Sequence, residues 1–265
     1  MQGRLVDQEI KSRIQSFPEK NWKKEINIAK KIGFSIMEWT IDYKKFYLNP
    51  FNDLKNEEKL KKILKKNKIT IPSITCDFFM QKPFFKQKAL KNEIKNKLIH
   101  LITRCKKFNT KFLIIPLVDN SSTQNKESIK IKVINFFLYF SKILKHNNVK
   151  ILFETDLPPI SNLNFINRLN GNFGINYDSG NSKYNNFSIH EEYIYFHKVL
   201  NVHIKDNYPN GKTIKLGNGE VDFSKLFKLL KKIDYKGNLI FQTARSKIGK
   251  HKKEIVDNLN YLKKC

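Results

Sequence analysis

What recurs along this chain is an alternation. A short apolar run ends in polar residues, and a longer amphipathic stretch follows. The runs are QGRLV (2–6), FSIMEW (34–39), ITIPSITCD (69–77), KFLIIPLVD (111–119), KILFETD (150–156), FGINYDSG (173–180), LNVHIKD (200–206) and NLIFQTAR (238–245). Between them lie stretches with apolar residues near 3.6 spacing, the mark of helices that bury one face. These are KNWKKEINIAKKIG (20–33), LKNEEKLKKILKKN (54–67), the segment 88–108, the segment 126–147 and FSKLFKLLKKI (223–233). The first of them closes on Gly33, a residue able to take positive φ and stop a helix. The stretch after Ser182 is the weakest, being short and rich in aromatics.

Short apolar strands alternating with helices imply a parallel sheet covered by helices. Eight such units without a Gly/Ser/Pro-rich linker predict one closed (β/α)8 TIM barrel, α/β in class and a single domain over residues 1–265. The open dinucleotide-binding alternative lacks its fingerprint, since no G-x-G-x-x-G follows any of the runs.

Hydrophobic residues make up 40% of the 265 residues, enough for a sizeable core. No stretch approaches about 18 consecutive apolar residues, which argues against a membrane span. The start, MQGRLVDQEIKSR, has no apolar leader region. Cys76, Cys105 and Cys265 are odd in number, far apart and without a CxxC, so neither a disulfide framework nor a zinc ribbon is expected. A reducing cytoplasm is the expected location. The net charge of +27 raises the question of nucleic acid. The excess is mostly lysine dispersed over helical stretches, which reads as solvated outer faces rather than a specific nucleic-acid surface.

In a barrel of this type the chemistry sits at the C-terminal ends of the strands. Arg4, Glu38, Asp77, Asp119, Glu154, Asp156, Asp178, His203, Lys205, Asp206, Gln242 and Arg245 lie at or just past the ends of the apolar runs. Each alone has a plainer explanation, because strand ends are wet and acids there cap helices. Glu154, His203 and Gln242 directly follow apolar residues and so still lie within their strands. Glu154, Asp178, His203 and Gln242 end the fifth to eighth expected strands in turn, side by side on one half of the rim. Two carboxylates, an imidazole and an amide oxygen suit one divalent ion, Mn²⁺ or Mg²⁺, with Zn²⁺ or Co²⁺ able to compete through the histidine.

MQGRL at the start, RIQSFP with a following Trp (Arg13 to Trp22), GFSIMEW, FETD, NYDSGN, HIKD, LGNGEVDF (216–223) and the closing QTAR occur in this order from the first strand to the last. Together they make the chain similar to the sugar phosphate isomerases and epimerases of the xylose isomerase-like TIM-barrel superfamily. The resemblance implies one divalent metal held by Glu154, Asp178 and His203, with Gln242 where a glutamate usually stands. It places Glu38 at the acid that ends strand two and commonly faces the sugar. It further implies proton transfer beside a carbonyl through an enediolate, with Glu154 as base and Glu38, Lys205 or Asp206 as source of the second proton. An amide ligates through its oxygen but accepts no proton at neutral pH. Arg4, Glu38, Lys205 and Arg245, with Lys215 beside them, are the expected contacts to an anionic sugar or sugar phosphate.

Three other readings use the same parts. A dehydratase of the superfamily is one. A non-catalytic sugar-binding barrel is another, because Gln242 removes a base. An endonuclease IV-like nuclease is disfavoured, since His100, His146, His190, His197 and His251 fall mainly in helical stretches and leave too few ligands for three metals. Barrels of this type often pair, so a homo-oligomer is compatible with the sequence. No membrane partner is expected.

Overall fold

The computed structural model describes residues 1–7, 15–124 and 126–265. Arg13, part of the quoted resemblance, lies outside the described residues. Nine strands occur among the described residues: β1 (Trp39–Thr40), β2 (Ser73–Thr75), β3 (Phe112–Leu117), β4 (Lys150–Thr155), β5 (Phe173–Asp178), β6 (Val199–Ile204), β7 (Asp206–Asn207), β8 (Thr213–Ile214) and β9 (Asn238–Phe241). Seven of them form one sheet in the order β1-β2-β3-β4-β5-β6-β9, and every pairing in it is parallel. The helices are α1 (Trp22–Ile32), α2 (Glu57–Asn67), α3 (Phe78–Gln81), α4 (Lys91–Phe108), α5 (Glu127–Leu138), α6 (Ser141–Asn147), α7 (Pro159–Asn167), α8 (Ser179–Tyr184), α9 (Ile189–Glu192), α10 (Phe223–Lys232) and α11 (His251–Leu262). The fold is the (β/α)8 TIM barrel that the alternation predicts.

The eighth position in the ring differs from expectation. Residues 2–6 do not form a regular strand. Gln2 N donates to Phe241 O at 2.9 Å and Glu38 N donates to Met1 O at 2.9 Å, so the first two residues stitch β9 to the segment leading into β1 and close the barrel. The extended run stops there because Gly3 (φ 54°) and Arg4 (φ 67°) both take left-handed backbone. The expected strand at 34–39 is also irregular: Ile36 bridges Thr70, and the regular ladder begins only at Trp39. β7 and β8 form an antiparallel hairpin above β6 that the apolar pattern did not announce.

The helices form where the periodicity placed them. α10 turns Phe223, Leu226 and Leu230 inward and its lysines outward, and Asp222 caps its start by accepting from Lys225 N. α1 ends on Gly33 at φ 102°. The stretch 126–147 is two helices, α5 and α6.

Strand alternation divides the sheet into two faces. Ile74, Ile151, Phe153, Ile175, Tyr177, Val202, Ile204 and Phe241 join the apolar layer under the helices. Their alternates, Ser73, Thr75, Glu154, Asn176, Asp178, Asn201, His203 and Gln242, are all buried and polar. The mouth of this barrel is therefore lined by a hydrogen-bonded polar network rather than by aliphatic side chains.

Candidate metal centre and sugar pocket

His203 sits near the C-terminal end of β6, directly beside Asp178 of β5 in the strand register. Its ring is fully buried and its two nitrogens face different acids. Nε2 lies 2.8 Å from Glu38 Oε1. Nδ1 lies 3.1 Å from Glu154 Oε2, 3.9 Å from Asp178 Oδ2 and 3.2 Å from Gln242 Nε2. Ligand atoms of Glu154, Asp178 and His203 all fall within 4.8 Å of one another. The sequence-predicted quartet is thus brought together around one point.

Neighbouring amides support both carboxylates, fully for Glu154 and on one oxygen only for Asp178. Glu154 Oε1 accepts from Asn181 Nδ2 at 2.7 Å, and its Oε2 accepts from Asn176 Nδ2 at 2.8 Å. Asp178 Oδ1 accepts from Asn181 N at 2.8 Å, whereas its Oδ2 is buried without a hydrogen-bond partner. Lys205 Nζ stands 3.6 Å from that Oδ2 and donates to Asn181 Oδ1 at 2.7 Å. Burial pushes the Asp178 carboxyl up, and Glu154 adds to the shift against the pull of Lys205. A buried, repelled carboxylate with an orphaned oxygen, next to a ring nitrogen and a second carboxylate, fits a cation.

Burial alone would lower the pKa of His203, but Glu38 and Glu154 on either side overcome it and push the imidazole up to about 10. Burial likewise opposes ionisation of Glu38. His203 with the hydroxyls of Thr75 (2.6 Å) and Ser73 (2.7 Å) outweighs it and holds that carboxyl below its usual range. Gln2 Nε2 (2.9 Å) and Asn201 Nδ2 (3.2 Å) complete the shell of Glu38. A carboxylate thus holds Nε2 while Nδ1 faces Glu154, Asn176 and Gln242, the arrangement of outer partners that suits a histidine able to ligate a metal through Nδ1.

Other predicted residues are placed differently. Both oxygens of Asp206 are occupied by backbone N–H groups, from Asn207 (3.0 Å), Gly217 (2.9 Å), Gly219 (3.0 Å) and Val221 (3.1 Å). It organises the loop entering α10. The glycines of LGNGEVDF serve that backbone: Gly217 has φ 85°, and a Cβ on Gly219 would lie 2.5 Å from Asn207 O and clash with the Asp206 carboxylate. Arg245 Nη1 donates to Val6 O at 3.0 Å and lies outside the cavity, latching the loop after β9 to the N-terminal segment. Gln242 thus turns into the barrel, whereas Arg245 ties the ring shut. Lys215 pairs with Asp257 at 3.1 Å. Arg4 serves both ends, since its Nη1 donates to the carbonyls of Gln242 (2.9 Å) and Thr243 while the side chain lines the pocket.

Above the cluster opens a cavity of about 410 Å³ lined by Arg4, Asp77, Glu154, Asn181, Lys205 and Gln242 among others. The supporting amides Asn176, Asn181 and Asn201 were not singled out from the sequence. Asn176 and Asn201 stand two residues before Asp178 and His203 in otherwise apolar runs, so the period of two that places the ligands also places them.

Comparison with known proteins agrees with this fold. A protein of Haemophilus influenzae provisionally named L-ribulose-5-phosphate 3-epimerase SgbU is 28% identical over 242 residues, covering 83% of each chain. The structure of D-psicose 3-epimerase with D-tagatose from Clostridium cellulolyticum H10 superposes with a TM-score of 0.73 at 15% identity, over 94% of this chain and 96% of that one. The IolI protein with a bound zinc atom superposes with a TM-score of 0.72 at 18% identity, over 92% of both chains. The family model described as xylose isomerase-like TIM barrel matches residues 26–265, and the chain belongs to that family.

Proposed function

We propose that the protein is a divalent-metal-dependent isomerase or epimerase of a sugar or sugar phosphate, working by proton transfer beside a carbonyl through an enediolate. The observation that carries this reading is the orientation of His203, with Nδ1 toward Glu154 and Asp178 and Nε2 held by Glu38. The named sugar and sugar-phosphate epimerases among the similar proteins support the same reaction class.

Glu154, Asp178 and His203 would hold the ion, and Gln242 would join them through its amide oxygen after a half-turn of the side-chain amide. Held there, such an ion would supply Lewis-acid stabilisation of negative charge on a substrate oxygen. Mn²⁺ or Mg²⁺ suits the oxygen donors, Zn²⁺ or Co²⁺ can compete through the histidine, and the similar IolI structure carries zinc. With Glu154 and Asp178 ionised, the protein charge balances a divalent ion, and Gln242 adds none.

Glu154 is the base that removes the carbon-bound proton. Lys205 and Arg4 present cationic groups to the cavity and would orient the oxygens of an anionic substrate. Glu38 acts through His203 as a positioning residue, because five donors already occupy its carboxylate. The test is exchange in D₂O with a panel of ketoses and ketose phosphates after reconstitution with Mn²⁺, Mg²⁺, Zn²⁺ or Co²⁺. Deuterium gained at the carbon beside the carbonyl, together with an epimer or isomer, is the expected result. Loss of water from the substrate would assign the dehydratase instead. Saturable sugar binding without exchange would assign a binding protein.

A further inference from the structure

A carboxylate at position 242 would give the site a second proton-transfer group, and this chain carries an amide there. The cavity holds another acid whose surroundings assign it no structural task. Asp77 follows β2, in which Ser73 and Thr75 both reach the Glu38 carboxylate inside the barrel. Strand alternation carries Asp77 onto the same inner side, one layer nearer the mouth. There it lines the cavity shared by Glu154, Lys205 and Gln242, and the residue is only 3% exposed.

Buried aspartates normally cap a helix or sit in an ion pair. Asp77 precedes α3 but its side chain makes no cap hydrogen bond to it. Among the described residues, its carboxylate has no ion pair within 4.0 Å, and the hydrogen bond it receives is a long one from Gln15 Nε2 at 3.4 Å. The charged groups that act on it most are Asp42 after β1, Glu154 on β4, Arg4 and Glu38 before β1, and Lys205 lines the same cavity. Burial first, then Asp42 and Glu154, raise the carboxyl well above its ordinary value.

We propose that Asp77 is the second proton-transfer group of this site, standing in for the carboxylate absent at position 242. The proposal rests on the isomerase/epimerase reading given above. Glu154 takes the proton from the carbon beside the carbonyl. That C–H bond breaks, its electron pair stays on the substrate as the enediolate, and Glu154 becomes a carboxylic acid. Asp77 enters this step protonated and gives its proton to the same carbon. A new C–H bond forms from the enediolate's electron pair, and Asp77 is left as a carboxylate. Exchange with water then returns a proton to Asp77 and removes one from Glu154, so the cycle closes without any further reagent.

The experiment follows product formation and deuterium washout separately in D₂O, using the metal-reconstituted full chain and the ketose that the native protein turns over. Asp77→Asn is expected to form product about 10²-fold more slowly. It should still introduce deuterium into recovered substrate, because Glu154 remains, and its metal content should match the native value. Asp77→Glu should recover part of the product rate, and thermal melting of both variants verifies folding. Product formation by Asp77→Asn at the native rate would overturn the proposal. So would parallel loss of washout and product with metal retained, which marks a residue that only positions the substrate. A native protein that exchanges no proton with any ketose or ketose phosphate overturns the isomerase/epimerase reading as well, an outcome distinct from failure of Asp77 alone.

Discussion

His203 Nε2 meets Glu38 Oε1 at 2.8 Å, with both side chains completely shielded from solvent. Glu38 thereby fixes which nitrogen faces Glu154 and Asp178. Replacing it by glutamine keeps the size but removes the charge and leaves an amide that can offer the wrong group to the ring. Glu38→Gln is expected to weaken metal affinity by about 10–100-fold while leaving the three ligands in place. Competition with a chromogenic chelator measures this. Unchanged affinity would show that the Glu38 contact does not orient the ligand.

Metal uptake should be coupled to proton release. In the metal-free protein Glu38 and Glu154 push His203 up to about 10, so at neutral pH the imidazole carries two protons. A metal on Nδ1 must displace one of them, while the Nε2 proton stays on the ring and donates to Glu38. Affinity should therefore rise about tenfold per pH unit between roughly pH 6 and 9. The same raised pKa stabilises the metal-free fold fully below about 6.5, the ordinary histidine value, and that contribution is lost as pH rises through about 10. Calorimetry in two buffers of different ionisation enthalpy counts the proton directly, and a count near zero would contradict the assignment.

The loop entering α10 depends on Gly219. Its N–H donates to Asp206 Oδ2 at 3.0 Å, and an added Cβ would sit 2.5 Å from Asn207 O, a backbone atom that cannot rotate away. Gly219→Ala is expected to destabilise the protein by about 1–3 kcal/mol, the scale of overpacking in a tight interior. Denaturant unfolding reads the change. Gly33→Ala is not an equivalent control, because Gly33 carries its own positive φ of 102°.

The alternation of apolar runs and amphipathic stretches made the barrel legible, because burial on both faces of a parallel sheet leaves few polar positions before each strand ends. Glu154, His203 and Gln242 stood out for that reason. What the alternation does not encode is where a polar residue beyond a strand end points. Asp206 and Arg245 follow their strands as closely as Lys205 follows its own, yet Asp206 gathers the 217–221 loop and Arg245 clamps Val6, while Lys205 lines the cavity. The difference lies in loop paths set by contacts distant in sequence. The first strand failed for a local reason, since Arg4 takes a left-handed conformation that most side chains avoid and nothing in its residue type signals. Glu38 was visible as a strand-end acid, but its pairing with a residue 165 positions away was not.

Gln242 separates a working catalyst from a binding protein. Its side chain lies 3.2 Å from His203 Nδ1 and so reaches the proposed metal position, and its backbone carbonyl accepts from Arg4. Gln242→Glu adds a third anion to a site where burial and Glu154 already raise the Asp178 carboxyl. Without metal the new charge is unfavourable, and the variant should melt at lower temperature than the native protein. With metal it gains a ligand of opposite charge, and the increment in melting temperature on adding Mn²⁺ should exceed the native increment. If Glu154 is the base, Glu154→Gln abolishes deuterium exchange at the carbon beside the carbonyl, whereas the native glutamine at 242 leaves that exchange intact. Deuterium incorporation from D₂O, followed for the native protein and both variants, decides between the readings. Exchange by Gln242→Glu but not by the native chain would mean that the amide has silenced the site, and the barrel would then be assigned to sugar binding. Exchange surviving Glu154→Gln would move the base elsewhere, with Asp77 the next residue to test because its carboxyl group lines the same cavity.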